Sequence, residues 1–119
     1  MPKLLFATVP TDEVLNKEGK VRFPGTEAAV EKLTEAGWEV EIVDTTWPKP
    51  LEAATSGSYD AILVSTYKAV PRARDAASML ARMQDAPVYT VGVLQKDDAF
   101  RTMAPTVGVL KNIGELPLP

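Results

Sequence analysis

Three short stretches place reactive side chains directly after apolar runs: Thr8, Thr11 and Asp12 in "TVPTD", Ser65, Thr66, Tyr67 and Lys68 in "STYK", and Gln95, Lys96, Asp97 and Asp98 in "QKDD". Hydroxyls, amides and ammonium groups of this kind can hold a phosphate or carboxylate. Lys68, Arg72 and Arg74 also lie close to the expected start of a helix, where free backbone amides and the helix dipole favour an anion. Thr26, beside Gly25, stands at the start of another helix and adds a further hydroxyl. Asp12, Asp97 and Asp98 together can offer oxygen ligands to a magnesium ion, which needs one or two carboxylates and keeps several waters.

The chain has no cysteine and no histidine. Thiol nucleophiles, Ser-His-Asp and Cys-His catalysis, thiolate zinc sites and cysteine-held iron–sulfur clusters are therefore excluded. Acid-base work would fall to carboxylates, Lys or Tyr. Ser65 lacks a histidine base and does not sit in a Gly-x-Ser-x-Gly elbow, so it is not read as a nucleophile. Each remaining group has an ordinary alternative. The three cations can be solvated surface charges, Arg72 and Arg74 point to different faces of a helix, and adjacent acids before a helix commonly cap it. The expected site therefore contains no catalytic residue and no metal, and its ligand-binding candidates are Thr8, Thr11, Thr26, Ser65, Thr66, Tyr67, Lys68 and Arg72.

These groups need elements to position them. Lys3 to Val9 is a short apolar run that suits a strand buried on both faces. Residues 10–25 hold two prolines, two glycines and mixed charge, and predict a long loop with room for a short turn or hairpin. Thr26 is expected to cap a helix with Ala29, Val30, Leu33 and Ala36 on one stripe, ended by Gly37. Trp38 to Asp44 reads as a second strand, "TTWPKP" as a loop and Leu51 to Thr55 as one or two helical turns. Asp60 to Thr66 predicts a central third strand. Pro71 starts a helix to about Met83, with Ala73, Ala76, Ala77, Leu80 and Met83 on its buried stripe. "APVYTVGVL" supplies a fourth strand, Asp97 to Met103 a short helix and "TVGVL" a fifth strand.

Alternating strands and helices predict a three-layer, doubly wound α/β fold with a five-stranded parallel sheet in the order 2-1-3-4-5. At 119 residues and 45% hydrophobic content, one domain spanning 1–119 is expected. No run of about 18 apolar residues occurs and the N-terminus lacks a cleavage pattern, so a cytoplasmic protein without a membrane partner is expected. A net charge of −3 and a pI near 4.9 disfavour nucleic acid as a partner.

"GTEAAVEKLTEAGWEVEIVD" and "SYDAILVST" resemble pieces of flavodoxin-like domains, which include flavodoxins and response-regulator receiver domains. The resemblance spans roughly residues 3–112 and implies architecture. A receiver would carry a phosphorylatable Asp at the end of the third strand; Ser65 and Thr66 stand there, while Lys111 matches the position of the family's lysine. The receiver likeness thus implies a degenerate, pseudo-receiver domain without an aspartyl phosphate. A flavodoxin would bind the FMN phosphate in a short Ser/Thr- and Gly-rich loop after the first strand; here the loop is longer and carries Pro, Asp and Glu. Tyr67 matches the place where flavodoxins set a ring against the flavin.

The closing "KNIGELPLP" does not predict a final helix. Both faces of such a sheet need a cover, so the tail, the 10–25 segment or a second subunit is expected to supply one. Trp38 is expected under the first helix. Trp47 is either a partner anchor or a ring folded over a sheet edge. The leading expectation is a non-catalytic binding or regulatory module that works through protein–protein contact, with a protein partner or as a homo-oligomer and without a cofactor. The alternative is a binder or enzyme that holds FMN or a phosphorylated nucleotide at the strand ends.

Overall fold

The computed structural model describes residues 1–119, except that the side chain of Gln95 lies outside the described residues. Five parallel strands form the sheet, β1 (Lys3–Ala7), β4 (Glu39–Val43), β5 (Ala61–Ser65), β6 (Val88–Val91) and β7 (Gly108–Leu110), in the spatial order β4-β1-β5-β6-β7. Register follows from the pleat: Leu5 pairs with Glu41 on one side and Ile62 on the other, and Val64 pairs with Thr90. β5 is buried at every position, as a strand covered on both faces must be.

Successive side chains leave the sheet on opposite faces and build two cores. Leu5, Ala7, Ile62, Val64 and Val88 face α2 (Lys49–Ser56), α3 (Val70–Met83) and α4 (Asp98–Met103), which contribute Ala54, Ala73, Ala77, Leu80 and Phe100. Leu4, Phe6, Ala61, Leu63 and Val91 face the other side, where α1 (Thr26–Glu35) brings Ala29 and Leu33. On that second face the cover is completed by Phe23 and Val14 from the 10–25 segment, by Trp38, and by Ile113 and Leu116 from the tail. The tail and the long segment therefore both share in the covering role expected from sequence.

The 10–25 segment is not a plain loop. It holds an antiparallel hairpin, β2 (Val14–Leu15) with β3 (Val21–Phe23), bent by a register shift. Asn16 shapes its turn by accepting from the amides of Glu18 and Lys20, both at 2.9 Å, and Gly19 supplies the left-handed residue at φ 79°. Thr26 does not cap α1: the N-cap is Gly25 at φ 98°, a conformation open to glycine, and Thr26 is the first helical residue. Of the two readings of Trp47, the structure favours the ring turned inward: it is partly buried and packs against the core, and it is joined to Pro48 by a cis peptide bond. α2 starts two residues before the sequence reading placed it.

Candidate functional site

In an open parallel sheet the crevice at the carboxyl ends of the strands, where the order reverses, is the natural place for a ligand. Here it lies beyond β1 and β5. Its threonines are held by the chain itself. Thr8 is buried and its hydroxyl donates to Val9 O at 3.0 Å, and the Thr11 hydroxyl donates to the same carbonyl at 2.7 Å. Thr11 N donates to Thr26 Oγ1 at 2.9 Å, and Thr26 N donates to Thr11 O at 2.8 Å. That pair pins the start of α1 to the segment leaving β1.

After β5, Ser65 and Thr66 are both buried. The Thr66 hydroxyl donates to Val91 O at 3.1 Å and accepts from Val93 N at 3.0 Å, which locks the end of β5 to the end of β6. Gly92, at φ 134°, lets this happen, since a Cβ there would collide with Thr66 Oγ1. The Ser65 hydroxyl has no hydrogen-bond partner among the described residues, and the same holds for Thr90 on β6. Tyr67 stacks on Phe23 of the hairpin with centroids 4.7 Å apart, and its hydroxyl donates to Arg22 O at 3.3 Å. Burial pushes the Tyr67 phenol upward, opposed by the nearby Arg22 charge.

The basic residues before and within α3 do not converge. Lys68 Nζ donates to Pro10 O at 3.1 Å, Arg72 Nε reaches the buried Thr45 hydroxyl at 3.4 Å, and Arg74 Nε pairs with Asp97 at 3.3 Å while its guanidinium lies 5.7 Å from the Phe100 ring centre. Asp97 also caps α4 by accepting from Phe100 N at 2.9 Å. The cap and ion pair account for the acid that sequence offered to magnesium, and no group of three or more metal-ligating side chains gathers among the described residues. Gln95, a further strand-end candidate, has its side chain outside the described residues.

Two clefts open near this end. One of about 400 Å³ is lined by Thr11 and Thr26 but also by Asp12, Glu13 and Glu27, a poor setting for a phosphate. The other, of about 410 Å³, lies between the hairpin and Tyr67, with Lys17, Arg22 and Lys96 at its edge. Thr8, Ser65, Thr66, Lys68 and Arg72 line neither. Sequence reasoning missed the part of the hairpin and of the β4–α2 loop: Arg22, Phe23 and Thr45 enter through contacts distant in sequence. Asp44 in that loop is held below the usual carboxylate range by the Thr46 hydroxyl and amide, with a smaller contribution from Arg72.

No helix among the described residues is long and apolar enough to cross a membrane. No protein-family model matches the chain, and no curated protein matches it. Among solved structures, a chain of the crystal structure of histidine kinase ThkA in complex with response regulator protein TrrA is similar, with a TM-score of 0.63, 20% sequence identity, and 98% of this chain and 92% of that chain covered. At that identity the likeness is one of fold, the parallel α/β architecture shared by receiver-like and flavodoxin-like domains.

Proposed function

We propose that the chain is a single receiver-like α/β domain that works as a protein-interaction module, without a phosphoacceptor, a cofactor or catalysis of its own. The observation that carries this reading is a strand-end crevice whose threonines bond to the chain itself, leaving the buried Ser65 hydroxyl without a partner among the described residues. Its threonines and its flanking Lys68 are engaged by main-chain groups, and β5 ends on buried Ser65 and Thr66 where a receiver-like domain would present a carboxylate. A phosphate at this place would have to displace those bonds and face Asp12, Glu13 and Glu27. The similar solved chain comes from a complex between two proteins, which supports contact with a protein as the mode of action.

Two additions to the purified protein test this. With acetyl phosphate and magnesium the intact mass should stay unchanged, and with FMN the flavin fluorescence should show no saturable change. A phosphoryl adduct at the strand ends would overturn the absence of a phosphoacceptor. Saturable FMN binding lost on replacing Tyr67 would instead favour the cofactor-binding alternative.

A further inference from the structure

The second face of the sheet carries a groove of about 460 Å³ between the C-terminal half of α1, the hairpin and the tail. Its floor is apolar, made by Leu33, Trp38, Ile113 and Leu116. Val21 and Leu118 stand on its rim, 54% and 77% exposed, so apolar surface there faces solvent. The surface continues past Trp38, Leu116 and Leu118 into a second cleft of about 320 Å³ at the opposite end of the sheet from the strand-end crevice.

The charge of the groove runs against that of the chain. Sixteen acids against thirteen bases make the protein acidic, yet the groove is lined by Arg22 and Lys32 and by no carboxylate. Neither cation forms an ion pair among the described residues. Glu115, the acid next in sequence to the lining Gly114, is turned into its own loop, accepting from the amides of Lys111 and Asn112 at 2.7 and 3.2 Å. Sheets of this kind bury each face under helices, and here irregular tail stands beside α1 where a further helix would extend the layer.

We propose that this groove is the docking site for an acidic amphipathic helix of a partner protein. The helix would lie beside α1, with apolar side chains at three- and four-residue spacing over Trp38 and Leu116 and flanking carboxylates opposite Arg22 and Lys32. The inference rests on the interaction-module reading and names the surface and the chemistry of its partner.

The test uses the full chain carrying Trp47→Phe, so that Trp38 is the sole indole, and a synthetic Leu/Glu amphipathic helix of about 15 residues. Titration should shift Trp38 emission and the amide resonances of Lys32, Ile113 and Leu116. Added salt should weaken binding to the unchanged chain, and Lys32→Glu, at an exposed position, should weaken binding about tenfold. Leu118→Lys, also exposed, should weaken it without unfolding the chain. The same peptide with Lys in place of Glu should bind far less. No shift, equal binding of the Lys peptide, or saturable binding to anionic phospholipid vesicles in preference to the peptide would overturn the proposal, as would a dimer that buries Trp38. Peptide shifts confined to the strand-end crevice would sink the groove while sparing the module reading. A flavin or phosphoryl group on the purified protein would sink the module reading itself.

Discussion

Thr11 and Thr26 hold each other twice, once from Thr11 N to Thr26 Oγ1 at 2.9 Å and once from Thr26 N to Thr11 O at 2.8 Å. The side chain that sequence assigned to capping α1 instead ties that helix to the chain leaving β1. Removing the hydroxyl leaves the partly buried Thr11 amide without its acceptor. Thr26→Ala should therefore cost about 1–2 kcal/mol in chemical denaturation, and Thr26→Ser, which keeps the oxygen, should cost much less. Equal losses in both variants would mean that the hydrogen bond contributes nothing.

Gly92 and Thr66 form a second lock. A side chain at 92 meets the Thr66 hydroxyl and demands a left-handed backbone, so Gly92→Ala should destabilise the protein by about 2 kcal/mol or more. Combining it with Thr66→Ala should cost less than the sum of the two single changes, because the collision is relieved. Additive losses in a double-mutant cycle would refute the contact.

Thr90 carries a buried hydroxyl with no partner among the described residues. Thr90→Val replaces it with a methyl group of similar shape and should raise stability by up to about 1 kcal/mol, read as a higher denaturation midpoint at unchanged slope. A loss of stability would show that the hydroxyl is satisfied in solution.

Tyr59 predicts a pH dependence. Burial, and then the hydrogen bond to and the charge of Glu41, push its phenol up to about 12 from an ordinary 10. The folded state keeps the proton that the unfolded state has lost, so this contribution to stability is complete below pH 10 and is lost as pH rises toward 12. Tyr59→Phe should flatten that limb of the stability curve. Glu41→Gln should leave part of the shift in place, because burial is the largest single cause. A tyrosinate titration with all three tyrosines near the ordinary value would contradict the assignment.

Much of the fold was legible because its signals are local. The unbroken apolar run Ala61 to Val64 reads as a central strand, and the stripe of Ala73, Ala76, Ala77 and Leu80 reads as a buried helix face, but Met83, expected on the same stripe, lies at the end of α3 and is 53% exposed. The hairpin within 10–25 was harder, since strands of two and three residues with a register shift show no alternation, and Asn16 with Gly19 was the available turn signal. The site was the least legible. Its residue types were found, but Tyr67 meets Phe23 and Arg72 meets Thr45 across long stretches of chain, and no spacing rule says that a threonine will bind its own backbone instead of a ligand.

The most direct measurement is a native mass spectrum of the purified protein read together with its visible absorbance. The mass of the bare polypeptide and no flavin bands are expected. A mass increment matching FMN or a phosphorylated nucleotide, with yellow colour in the first case, would contradict the interaction-module reading.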